Sequence, residues 1–295
     1  MEAAGPPMIE LQQGFDPCPS VHSQVLELRR PDERTVRYID EGRAGWRSIV
    51  FFGGVGTSVG VFFLTEFART LREQLRLRAF SVERNGNRGA VTDDVLAVLA
   101  EAGVERFAII AFSGGAQFAA ALAARVPERI ESLHLAAASA GAEAGLSAPP
   151  DPATMWQYPP GSPVNLIPGF VREAAEEGHH PDRLDYEWRL LSTEPLPDLS
   201  AVTAPVYLYW GTADDIVTPA HAEAWQRALP NVVAERRYQG EAHDIQYRHW
   251  DQILVDAAGL GAWIVVCSDG RTELAAPGQA AGATLGICAW EAVAG

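Results

Sequence analysis

The chain predicts an α/β fold, a mostly parallel central sheet flanked by helices, and three observations carry that expectation. Short apolar runs alternate with helical stretches along most of its length, the pattern of strand, helix, strand repeats. No repeat or low-complexity tract interrupts them. Finally, reactive side chains stand directly after strand-like runs: Ser113 after residues 106–111, Asp214 after 206–210 and His243 after 233–238. An open α/β sheet binds its ligands at the carboxyl ends of its strands.

The elements follow in order. Residues 25–29 and 35–40 alternate around Pro31-Asp32-Glu33 and read as an antiparallel hairpin. Apolar strand cores at 48–52 and 79–83 are joined by a helix over roughly 61–77. Thr92-Asp93-Asp94 reads as the cap of a helix to about Ala102, with acidic side chains at its positive end. Past the serine, Gly114 to Ala124 is rich in small residues and suits a helix packed close to the sheet.

Residues 141–200 break the rhythm. Prolines recur from Pro149 to Pro197, interleaved with Trp156, Tyr158, Phe170, Tyr186 and Trp188, and only 171–177 holds a helical period. The chain therefore divides into a core of residues 1–140 and 201–295 and an insertion of 141–200. A long excursion in a compact domain is either an ordinary surface loop or functional. Near the end, 263–267 and 285–290 read as two extra strands, with Ser268-Asp269-Gly270-Arg271 supplying a turn. This C-terminal hairpin reads as a sheet edge or a homodimer contact.

Composition narrows the function. With 295 residues, 47% hydrophobic and 21% charged, the chain suffices for one large α/β domain with a modest insertion. The net charge of -15 argues against nucleic acid, which needs a concentrated basic surface. No apolar run reaches the roughly 18 residues that span a bilayer. Residues 1–7 have neither the basic nor the apolar part of a secretory signal, so a cytoplasmic location is expected. Cys18, Cys267 and Cys288 form neither a disulfide framework nor a metal-ligand spacing. They read as small buried residues, with Cys267 facing Cys288 across the C-terminal hairpin as the alternative. Neither a metal nor a cofactor is expected.

Three segments carry the chemistry: Ala111-Phe112-Ser113-Gly114-Gly115, then Gly211-Thr212-Ala213-Asp214-Asp215, then Gly240-Glu241-Ala242-His243. A serine at the tip of a tight strand-to-helix turn needs small neighbours two before and two after, here Ala111 and Gly115. Taken alone, this segment is equally compatible with scaffolding, and both aspartates are equally compatible with helix caps. The order serine, aspartate, histidine, each after a strand, resembles the α/β-hydrolase superfamily, and trypsin-like and subtilisin-like enzymes use other orders.

That resemblance implies a catalytic triad of Ser113, Asp214 and His243, with Asp215 left to cap the helix that starts near Pro219. It implies an oxyanion hole built from the backbone N–H groups of Gly114 and of Val55, in the glycine-rich stretch Phe52-Gly53-Gly54-Val55-Gly56-Thr57-Ser58. The usual motif has histidine where this chain has Gly53, and AxSxG replaces GxSxG. The stretch lacks the lysine of a phosphate-binding loop, so nucleotide binding is not expected. The resemblance makes 141–200 a cap over the site, with Phe112, Trp156 and Tyr158 as substrate contacts. Among the other histidines, His134 and His249 read as structural, whereas His179 and His180 lie in the cap. Only residues 84–91 separate Glu83 from Thr92, a shorter connection than relatives carry.

The expected activity is serine hydrolysis of a carboxylic ester, lactone or thioester of a small, largely apolar molecule through an acyl-enzyme, with carboxylesterase the simplest form. The alternatives are C–C cleavage, acyl transfer or amide hydrolysis on the same fold, or a non-catalytic ligand-binding homologue.

Overall fold

The computed structural model describes residues 23–57, 69–146 and 181–290, together with 7, 9, 11 and 59. Its main sheet contains β1 (Leu26–Arg29), β2 (Thr35–Glu41), β3 (Arg47–Phe52), β4 (Leu77–Val82), β5 (Phe107–Phe112), β6 (Ile130–Ala136), β7 (Val206–Gly211) and β8 (Val232–Tyr238). The spatial order is β1-β2-β4-β3-β5-β6-β7-β8. β1, β2 and β4 pair antiparallel, and all pairings from β4 to β8 are parallel. The chain leaves β3 toward β4 and returns past it to β5, so the connections after β3 and β5 diverge. The crevice between them is the ligand position of such a sheet.

Strand alternation sorts the core into two layers. In β3 and β5, Ile49, Phe51, Ala108, Ile110 and Phe112 join one apolar cluster, and Val50, Phe52, Phe107, Ile109 and Ala111 join the other. The first layer takes residues from α1 (Arg69–Gln74), α6 (Ile245–Arg248) and α7 (Trp250–Val255). The second takes residues from α2 (Arg88–Glu101), α3 (Ala116–Arg125) and α5 (Pro219–Ala228). A sheet buried on both faces needs such continuous apolar strands. Among the described residues, no helix is long and apolar enough to cross a membrane.

Several boundaries differ from expectation. The helix expected to reach residue 77 ends at Gln74, because Arg76 turns into the left-handed region (φ 54°) and Leu77 already begins β4. Its first part, and the period at 171–177, lie outside the described residues. The cap of α2 is Asn87, whose side chain accepts from Ala90 N–H at 2.9 Å, so Thr92-Asp93-Asp94 does not cap it. Thr92 and Asp94 are buried inside the helix instead, Thr92 donating to Arg88 O at 2.8 Å and Asp94 taking a bidentate pair from Arg34. Asn87 is capable of capping five residues before Thr92, and the free N–H groups go to the first side chain that reaches them.

At the C-terminus, β9 (Ile264–Ser268) and β10 (Arg271–Ala275) form the expected hairpin turn. Residues 285–290 do not form its second strand. Only β11 (Thr284–Leu285) pairs with β9, because Gly286 (φ 99°) swings the chain into a short 3₁₀ turn at Cys288–Trp290. That turn brings Cys288 to 4.9 Å, Cα to Cα, from Cys267, and the two form a disulfide across 21 residues. The reading of both as free buried cysteines is therefore corrected.

Behind this second sheet, Asp251 on α7 is 6% exposed, and no side chain donates a hydrogen bond to its carboxylate among the described residues. Burial pushes its pKa up to about 6, against the opposing charge of His249 and nearby backbone N–H groups. Because the folded value lies above the unfolded one, the stabilising contribution is full below about 3.8 and is lost as pH rises through about 6. Asp251→Asn is thus expected to gain on the order of 2–3 kcal/mol at pH 8 and almost nothing at pH 4, read by thermal unfolding at the two pH values. An equal gain at both would assign the effect to packing.

Candidate active site

β5 ends in a tight turn into α3, and Ser113 occupies its tip with φ 48°, in the left-handed region. The turn is possible because its neighbours are small. A side chain on Gly115 would run into the carbonyl oxygens of Phe52 and Gly53, and one on Gly114 into Val55 and Leu191. Ser139 N–H donates to Ser113 O at 3.0 Å and holds the far side of the turn. Beneath it, Phe112 packs edge-on against Phe51 at 5.1 Å and Trp250 at 5.2 Å, ring pairs worth about 0.5–1.5 kcal/mol each.

Phe112 is 1% exposed. Its ring forms the floor beneath the serine. Alternation along β5 turns it to the side of Ala108 and Ile110.

β7 delivers Asp214 and β8 delivers His243. Asp214 Oδ1 accepts from the N–H groups of Ile216 at 3.0 Å and Val217 at 2.8 Å, and its side chain is wholly buried. Asp214 Oδ2 lies 2.8 Å from His243 Nδ1, and His243 Nε2 lies 3.2 Å from Ser113 Oγ. With Nδ1–H donated to the carboxylate, Nε2 is left free to accept the serine proton. Asp215 is exposed and caps nothing. Thr218 is the N-cap of α5, with Pro219 at its first position and no side-chain bond, so the capping role expected of Asp215 is not filled by it.

The loop after β3 lies against this serine. A Cβ on Gly54 would be only 3.6 Å from Ser113 Cβ. Val55 is buried in a small apolar cluster with Leu184, Trp188 and Leu191 of α4 (Pro181–Thr193). Those spacings put three residues on one face of α4, above Val55 and Gly114. Trp156, Tyr158, His179 and His180 lie outside the described residues.

His134 and His249 are both tied up. His134 bonds Tyr209 and Ser132, and burial together with the charges of Arg47 and Arg236 lowers its pKa to about 3. His249 bonds Glu241 at 2.8 Å and stacks on Tyr238, bracing the loop that carries His243.

Sequence reasoning missed three residues here. His221 accepts from Ala140 N–H at 2.9 Å and supports the segment behind the serine turn. Arg84 and Glu187 form a buried ion pair beside the Gly53–Thr57 loop. A charge directly after an apolar strand, as in Val82-Glu83-Arg84, was the only available sign.

Among the described residues no cluster of His, Cys, Asp and Glu is suited to hold a metal. Residues 81–201 match the family model described as alpha/beta hydrolase fold. An alpha/beta hydrolase fold protein from Nakamurella multipartita superposes with a TM-score of 0.63 at 18% identity, over 80% of this chain and 98% of that one. A carboxylesterase structure from Nitrososphaera gargenis gives 0.61 at 15% identity, over 80% and 99%. The enol-lactonase of Burkholderia xenovorans LB400 gives 0.57 at 17% identity, over 77% and 96%. At these identities the likeness is one of fold. No curated protein sequence matches the chain.

Proposed function

We propose that this chain, whose residues 81–201 match the alpha/beta hydrolase fold model and whose fold is shared with solved hydrolases, is a serine hydrolase acting on a carboxylic ester, lactone or thioester of a small, largely apolar molecule. One observation carries the reading: Ser113 Oγ, His243 Nε2 and Nδ1, and Asp214 Oδ2 form a continuous hydrogen-bonded series of 3.2 and 2.8 Å at the carboxyl ends of three strands. Likeness of fold to a carboxylesterase and an enol-lactonase supports hydrolytic chemistry.

In this mechanism His243 Nε2 takes the hydroxyl proton as Ser113 Oγ bonds to the carbonyl carbon. Asp214 holds the imidazole in the required tautomer and stabilises its charged form. The N–H groups of Val55 and Gly114 receive the negative oxygen of the tetrahedral intermediate. His243 returns the proton to the departing alkoxide or thiolate, leaving an acyl-serine. A water then gives its proton to His243, attacks the acyl carbon and restores the hydroxyl. Residues 141–200 act as the cap, with α4 forming its part above Val55 and with Trp156 and Tyr158 supplying apolar contacts.

The test is intact mass after exposure to a small fluorophosphonate, followed by a p-nitrophenyl ester panel of increasing acyl length. One adduct per chain, mapped to Ser113, with ester turnover is the expected result. A folded protein that takes no label and turns over no ester would overturn the reading.

A further inference from the structure

Where relatives of this fold carry histidine in the loop after the third strand, this chain has glycine, and a loop of Gly53, Gly54 and Gly56 has little stiffness of its own. Within the loop Thr57 Oγ1 donates to Gly54 O at 2.8 Å, and the further hold on it comes from outside. Arg84, just past β4, donates from Nη1 to Gly53 O at 2.9 Å and from Nη2 to Gly54 O at 2.6 Å and Thr57 Oγ1 at 3.1 Å. Glu187 on α4 receives Arg84 Nε at 2.8 Å and Nη2 at 3.0 Å, and also accepts Gly56 N–H at 2.8 Å. The guanidinium stacks over Phe118 of α3 at 5.1 Å. The side chains are 5% and 2% exposed.

We infer that Arg84 and Glu187 are positioning residues that aim the Val55 N–H at the reacting centre; this rests on the serine-hydrolase reading. The argument is geometric. In a trans peptide the C=O and N–H point in opposite directions, and the described chain contains no cis peptide. Gripping Gly54 O toward Arg84 therefore turns the N–H of Val55, in the same peptide unit, to the opposite side. The Val55 side chain is meanwhile wedged under Leu184, Trp188 and Leu191. A second clip lies one turn along α4, where Arg183 pairs with Glu83 and donates to Thr57 O at 3.0 Å.

A buried ion pair is a poor source of stability, since apolar residues of similar volume often replace it at no loss. Here the pair spends its remaining hydrogen bonds on the main chain of one loop. A planar fork that reaches two carbonyls and a carboxylate together is also something that lysine cannot reproduce.

The experiment compares wild type with Arg84→Lys, Glu187→Gln and the double variant Arg84→Met/Glu187→Leu, using p-nitrophenyl butyrate and the fluorophosphonate. Both single variants are expected to lose about 100-fold in kcat, the scale of a lost oxyanion donor. KM stays within about twofold, and the pH–rate profile falls without moving its midpoint, because His243 and Asp214 are untouched. Labelling slows in parallel. The double variant, which removes the buried charges together, keeps wild-type thermal stability and remains slow. Recovery of kcat in the double variant would overturn the inference, as would folded single variants with normal kcat and raised KM, which would assign the pair to holding α4. A wild type that takes no label overturns the serine mechanism and this inference together; a labelled wild type with equally fast variants overturns this inference alone.

Discussion

Ser113→Ala is expected to abolish labelling and reduce kcat for p-nitrophenyl butyrate by about 10⁴–10⁶-fold while the fold stays intact. The variant deletes one oxygen from a half-buried site and relieves no packing, so thermal unfolding should barely change. Asp214→Asn should cost about 10⁴-fold, because an amide can offer its N–H to His243 Nδ1 and so favour the wrong tautomer. Its Oδ1 can still accept from Ile216 and Val217, so the turn after β7 keeps its shape. Residues acting as one unit are not additive, and Ser113→Ala/His243→Ala should be no slower than Ser113→Ala alone. Single-turnover kinetics decide the matter: loss of less than tenfold in Ser113→Ala would remove the serine from the reaction.

The largest effect on stability is expected at Asp256, immediately after α7. Its carboxylate has no exposed surface and accepts from Arg236 Nε and Nη2 at 2.7 Å each, from Tyr209 Oη at 2.7 Å and from Gln252 Nε2 at 2.8 Å. Gln252 in turn accepts Val265 N–H at 2.8 Å, which ties the second sheet to α7. Burial raises the pKa of Asp256, with the Arg236 hydrogen bonds and charge pulling the other way. Asp256→Ala leaves a guanidinium, a phenol and an amide without their acceptor, and should cost about 3–5 kcal/mol by denaturant unfolding. Asp256→Leu combined with Arg236→Met removes both charges and should recover most of that loss. A cost below about 1 kcal/mol in the single variant would mean that water enters and replaces the carboxylate.

The parts of this architecture that are legible in sequence are those specified locally. Residues 49–52 and 107–111 are apolar on both faces, which marks buried parallel strands without any knowledge of their partners. Ser113 and Asp214 announce themselves by small residues and turns directly after apolar runs and His243 by the turn after an amphipathic one, and the structure brings all three within hydrogen-bond distance. Arg84 and Glu187, by contrast, are 103 residues apart, and nothing short-range links an arginine after a strand to a glutamate in the middle of α4. The disulfide was legible only as an alternative for a similar reason: Gly286, rather than a strand period, decides where Cys288 goes. The cap of α2 was missed through competition, since Asn87 and Thr92 are both competent caps and only packing of Thr92 and Asp94 into the interior separates them. Phe112 was readable in principle, because its parity with Ile110 turns it toward the core.

The left-handed backbone of Ser113 sets two demands on this residue against each other. An L-residue with a side chain in that conformation costs roughly 1–2 kcal/mol, a penalty that glycine escapes. The molecule carries that penalty at every moment. Selection for durability alone would install glycine at position 113; under the proposed serine-hydrolase function selection for chemistry forbids it, so a lineage released from that chemistry has a downhill route to a sturdier, silent protein.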